Sequence, residues 1–183
     1  MAEKFEEYLR EEGGSVSISG TGSYVPGEVL KVAGAARLSG RVRARLISVA
    51  GSLSGGALEG ERVKISGSAS VDGLEAERVS SAGSLRVRGE VKVEEGSFSG
   101  SVRARRIEGV ELRMSGSVRA DEISAEILEI TVGGDSRVGE IRAERLRVRP
   151  ARRWLFLVSR EGRLRADRIE AGEVDLRLSL IHI

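Results

Sequence analysis

The stretch GSVRADEISAEILEI, residues 116–130, decides the fold. Counted from Gly116, apolar or small residues stand at offset two (Val118), four (Ala120), seven (Ile123), nine (Ala125), twelve (Leu128) and fourteen (Ile130). The offsets fall into three pairs, and the spacing inside each pair is two. That is the period of a strand turning one face inward. The residues between them, such as Arg119, Ser124 and Glu129, suit water. The stretch therefore reads as three very short strands joined by tight corners.

Working outward, the same pattern recurs from Gly34, Gly51, Gly67, Gly83, Gly100, Gly116, Gly134 and Gly162, at steps of 17, 16, 16, 17, 16, 18 and 28 residues. The last step is one repeat plus a 12-residue insertion. The copy from Gly100 places Val102, Ala104, Ile107, Gly109, Leu112 and Met114 at the same offsets. The copies from Gly51 and Gly162 do likewise, with Leu53, Leu58, Val63 and Ile65 in one and Leu164, Ile169, Val174 and Leu176 in the other. Two copies carry one extra residue, which shifts Val42, Ile47, Val91, Val93 and Phe98 by one. The origin glycine is usually followed by Ser; Gly permits corner geometry and Ser bonds its local backbone.

Such repetition is the signature of a solenoid. The fold class expected is all-β: a single-stranded, right-handed parallel β-helix of triangular section, with about eight coils of 16–17 residues. A helical reading fails, since Gly and β-branched residues recur too often. The expected organisation is an acidic amphipathic segment over 1–12, the solenoid over 13–148, a basic and apolar insertion over 149–161, and the last coil with the C-terminus over 162–183.

Composition agrees with this reading. Apolar residues make up 40% but aromatics only 3%, so the core must be built from Val, Leu, Ile and Ala. Cys is absent, which removes disulfides, Cys-based zinc sites and thiol nucleophiles. Charged residues reach 32% with a net charge of +2, so both signs crowd the surface. The start MAEKFEEYLREE is charged where a secretory signal would be apolar. No run approaches the ~20 apolar residues of a membrane span.

A solenoid leaves raw strand edges at its ends, to be capped or used. At the N-terminus, Phe5, Tyr8 and Leu9 lie at helical spacing. They fit either a short amphipathic helix over the first coil or an acidic tail. Residues 13–33 are expected to hold an imperfect coil, with Leu30 and Val32 placed as in later copies and a turn at Tyr24-Val25-Pro26-Gly27. At the C-terminus, Leu178 and Leu180 continue the alternation, and the final LSLIHI shows no polar cap.

The insertion, RPARRWLFLVSRE over 149–161, holds the only Trp, Trp154, followed by Leu155, Phe156, Leu157 and Val158. Arg152, Arg153 and Arg160 flank it, within a field of eleven Arg and four acids from Arg137 to Arg168. Three readings fit: a segment that covers the solenoid, a knuckle for an anionic membrane surface, or a contact for a protein partner.

Catalytic chemistry finds little support. His182 is the only histidine, so a histidine metal site or a Ser-His-Asp triad is not expected. No phosphate-binding GxxxxGK[ST] loop occurs. Gly133-Gly134-Asp135 resembles a calcium-binding β-roll motif, but that motif works only in arrays. No cofactor and no enzyme activity are expected. Nucleic acid is disfavoured despite an isoelectric point of about 9.3, because acids are interleaved and stacking aromatics are lacking.

The stretches VKISGSASVDGLEAERV (63–79), FSGSVRARRIEGVELRMSGSVRADEI (98–123) and VGEIRAERLRV (138–148) resemble bactofilins, polymer-forming bacterial cytoskeletal proteins. The resemblance covers roughly residues 13–148 and 162–177. It rests on an apolar residue, Ser-Gly-Ser, then an apolar-x-Gly or apolar-x-Ala step. It implies a right-handed triangular β-helix, end-to-end polymerisation without nucleotide, and scaffolding at the cell envelope. It also implies membrane association through a short N-terminal segment, and carries over no catalytic residue. The chain departs from the pattern in lacking Pro-rich flanks, in its acidic N-terminus and in the Arg-Trp insertion.

The leading expectation is thus a homopolymer assembling end to end, cytoplasmic and peripheral at the inner face of the membrane. Leu176 and Leu178 are expected at one contact; Leu30, Val32, Leu38 and the Phe5 segment are expected at the other. The alternative is a monomeric solenoid docking an anionic membrane or a cell-envelope protein through the Arg152–Arg160 segment.

Overall fold

A computed structural model describes residues 14–150 and 163–176. The expected Phe5 segment, the Arg152, Arg153, Trp154, Leu155, Phe156, Leu157 and Arg160 knuckle, and Leu178 all lie outside the described residues. The chain is all-β, a single mixed sheet wound into a β-solenoid of about seven turns. Its eight strands are β1 (Gly14–Val25), β2 (Gly27–Ser54), β3 (Ala57–Val71), β4 (Gly73–Val87), β5 (Glu90–Arg103), β6 (Arg106–Val132), β7 (Ser136–Pro150) and β8 (Leu164–Leu176). They stack in sequence order.

From β2 to β8 every neighbouring pair is parallel. The register follows the repeat: Leu58 opposes Leu74, Val91 opposes Ile107, and Ile123 opposes Ile141. Like residues therefore stack into columns that run the length of the molecule. The inward columns are buried, with Leu30, Ile47, Ile107, Ile123, Leu128 and Ile141 fully enclosed. The 12-residue insertion leaves the register intact, since Ile141 pairs Ile169 and Val148 pairs Leu176 across it.

The corner glycines explain how coils approach so closely. Gly34, Gly51, Gly67, Gly83, Gly100 and Gly116 all have positive φ, between 113° and 156°. From Gly51 onward, a Cβ on any of them would strike the carbonyl oxygen of the glycine one coil below. Only glycine meets both the angle and the space.

Core volume is balanced between coils. Ser81 occupies an inward position where its neighbours are Ile65 on one side and Phe98 on the other. Phe98 is the large residue that fills this level. Gly96 makes room for it: a Cβ there would lie 2.6 Å from the Phe98 ring. Ser136 replaces an apolar residue at another inward position, and its Oγ accepts the Val118 N–H at 3.0 Å.

The N-terminal segment departs from the expected imperfect coil. β1 folds back antiparallel on β2, with Val25 opposite Val29, Tyr24 opposite Leu30, Gly22 opposite Val32 and Val16 opposite Leu38. The expected turn is present, but it reverses the chain rather than bending it round a corner. Pro26 fixes its own φ, and Gly27, at φ 74°, supplies the left-handed residue of a three-residue hairpin loop.

Candidate functional site

The two outermost strands and two outward columns of charge differ from the rest of the described surface. At the N-terminal end, the hairpin changes the contact surface from the one expected. Leu30, Val32 and Leu38 are 0%, 2% and 4% exposed, so they belong to the core and do not line a free end. β1 covers them because its half-buried Val16 and Ile18 and its buried Tyr24 close the cross-section above them. β1 is also the outermost strand of the sheet, so its far edge has no strand partner among the described residues.

At the C-terminal end, β8 is the other outermost strand. Its first inward side chains, Leu164 and Ala166, are buried, but its last two are open. Val174 is 46% exposed and Leu176 is 39% exposed, whereas their counterparts one coil earlier, Leu146 and Val148, are buried. Val174 and Leu176 thus stand partly exposed on a strand that is outermost among the described residues. An unpaired edge with exposed apolar residues beside it is a ready template for another strand.

Both grooved walls carry charges of both signs. On most of the surface, charges of opposite sign neutralise one another between coils. Glu122 takes Arg106 at 2.7 Å and Arg142 at 3.0 Å; Arg78 meets Glu95 at 3.1 Å; Arg145 meets Glu173 at 3.2 Å. The Glu122 hydrogen bond and its charge raise the pKa of the Arg106 guanidinium. Such pairs are exposed and individually weak.

One column is different. Arg86 opposes Arg103, Arg103 opposes Arg119, Arg119 opposes Arg137, and Arg137 opposes Arg165. These five stand in single file on the outward side, and the last four edge a groove floored by Ala104 and Ala120 that Asp121, Asp135 and Asp167 also line. None makes an ion pair among the described residues. A second groove runs over Ala44, Gly60, Ala76, Val93 and Gly109, and Glu75, Glu77 and Glu94 edge it. These three carboxylates, with Glu126 and Glu144 further along the same wall, are also without an ion pair among the described residues.

Comparison of the chain with protein-family models, curated proteins and solved structures returns no match. Among the described residues no group of three or more His, Asp or Glu side chains is placed to hold a metal ion. No helix there is long and apolar enough to cross a membrane.

Sequence reasoning missed both charged columns. The signal was available in the outward offsets: the third residue after each origin glycine is Arg in the copies from Gly83, Gly100, Gly116, Gly134 and Gly162. Reading the basic field along the chain, as Arg137 to Arg168, mixed these unpaired arginines with paired ones such as Arg142 and Arg145.

Proposed function

We propose that this chain is a non-catalytic structural scaffold, bactofilin-like in its repeat, that assembles end to end into filaments without nucleotide. The observation that carries the reading is the last described coil, where Val174 and Leu176 are exposed beside a strand edge that has no strand partner among the described residues. A second protomer placed there continues both the hydrogen-bond ladder and the apolar column. Its partner surface is the β1 edge, or another copy of the β8 edge. Burial of such side chains is worth roughly 25 cal/mol per Å² of apolar surface, and the ladder fixes the register.

Negative-stain electron microscopy of the purified full chain, with no nucleotide added, tests the reading. Filaments one solenoid wide support it. Uniform short rods at every concentration overturn it. In that case the Arg152–Arg160 segment is the next surface to examine. Binding to anionic vesicles is then read from the fluorescence of Trp154.

A further inference from the structure

The two outermost strands are held to the solenoid in different ways. β8 is tied to β7 by Arg142–Glu170 at 3.5 Å, Arg145–Glu173 at 3.2 Å, Arg147–Asp175 at 3.5 Å and Arg168–Glu140 at 3.6 Å. β1, GSVSISGTGSYV, carries no charged residue, and most of it is Gly, Ser or Thr. Four of its residues stand opposite the buried column Leu38, Ala36, Val32 and Leu30. Of these four, Val16 and Ile18 are only half-buried, Gly22 has no side chain, and Tyr24 alone is buried.

Segments with few buried apolar contacts are the first to open locally. β1 keeps its hydrogen-bond ladder to β2 but adds little side-chain burial and no charge pair to it. Its only covalent link to β2 is the turn at Pro26-Gly27, and a Cβ on Gly27 would meet nothing within 4 Å, so the turn is not packed against the coils. Beneath β1 lie Leu30, Val32, Ala36 and Leu38, none more than 5% exposed. Lifting β1 uncovers these side chains together with the edge of β2 from Val29 to Gly40. That uncovered end resembles the opposite one, where Val174 and Leu176 stand beside the β8 edge.

We infer that β1 is a releasable strap that keeps the N-terminal end of the solenoid closed. With the strap down, that end shows an outermost strand whose exposed Ser17, Ser19, Thr21 and Ser23 give an incoming coil little apolar area. Protomers then join through β8 alone, and growth stops at a pair. With the strap swung out about Pro26-Gly27, the Leu30–Leu38 column is an apolar end, and a pair extends into a chain. Opening costs the β1–β2 ladder and the burial of Tyr24, so the closed form is the resting state of the isolated protomer.

The control of assembly rests on the scaffold reading, whereas the looseness of β1 is read without it. The chain has no Cys, so one engineered pair can lock the strap. Ser17→Cys/Arg37→Cys joins exposed positions directly opposite one another. Opposed Cα atoms of an antiparallel pair lie ~4.5–5.5 Å apart, within disulfide reach. A second full-length variant, Val16→Asp/Ile18→Asp, puts charge on the buried side of β1 and favours the open form. Amide exchange followed by mass spectrometry reports the strap, electron microscopy reports particle length, and circular dichroism checks folding. In the parent, the amides of 14–25 are expected to exchange ahead of those of 164–176. The oxidised cysteine variant is expected to stop at paired rods and to regain filaments on reduction. The aspartate variant is expected to form filaments at lower protein concentration than the parent. Filaments from the oxidised variant as long as those from the reduced one would overturn the strap, as would β1 amides that exchange no sooner than those of β8. A folded aspartate variant no readier to assemble than the parent would count against it equally. Single rods from the parent, the reduced variant and the aspartate variant alike would sink the scaffold reading instead, and the exchange order would then decide whether the strap opens.

Discussion

Phe98 stands directly opposite Ser81 on the preceding coil, and its ring fills the space left by the absent side chain of Gly96. Three residues on two coils thus share one level of the core. Phe98→Ala should leave a cavity that neither neighbour can fill and should cost about 3–5 kcal/mol. The check is the urea midpoint of the variant against the parent.

The hydroxyl of Ser81 is buried and has no hydrogen-bond partner among the described residues. Removing it also removes an unpaid desolvation cost of order 1 kcal/mol. Ser81→Ala should therefore raise the midpoint, although it shortens the side chain. A lower midpoint would mean that the hydroxyl is satisfied.

Gly83 and Gly73 separate backbone need from mere composition. Gly83 has φ 138° and lies against the backbone of Gly67, whereas a Cβ on Gly73 meets nothing nearer than 3.7 Å. Gly83→Ala should cost at least ~1–3 kcal/mol from the strained angle alone, with the collision added. Gly73→Ala should be close to neutral. Equal effects in thermal unfolding would contradict the corner argument.

The hairpin makes a separate prediction for the N-terminal end. Leu30 lies under Tyr24 and is fully buried, so Leu30→Ala should cost about 2–5 kcal/mol. A residue on a free contact surface would change assembly and leave stability nearly untouched. Measuring both properties on the one variant distinguishes the two placements.

Arg119 tests the cost of the arginine column. It has Arg103 on one side and Arg137 on the other. Arg119→Ser should raise the unfolding midpoint at low salt, and the gain should vanish at about 1 M salt as screening sets in. The paired Arg142 should behave in the opposite sense, since Arg142→Ser removes contacts to Glu122 and Glu140.

These particulars show how much the sequence made legible. The inward residues recur at fixed offsets because each coil must fill the same cross-section, and Val118, Ile123 and Leu128 declare that section directly. The direction of a strand leaves no such mark. Val16 and Ile18 alternate as any coil residue would, and the reversal depends on the local geometry of Pro26 and Gly27. That is why Leu30, Val32 and Leu38 read as an end when they are one layer inside it. Leu176 was legible as an end residue because it closes the last copy of the repeat. The charged columns became visible only once register aligned outward residues 16 to 28 positions apart.

The central claim is that the C-terminal coil is an assembly surface. The most direct test is electron microscopy of Val174→Arg/Leu176→Arg beside the parent, with circular dichroism to show that both remain β-folded. Filaments from the parent and only single short rods from the variant are the predicted result. Filaments of equal length from both would contradict it.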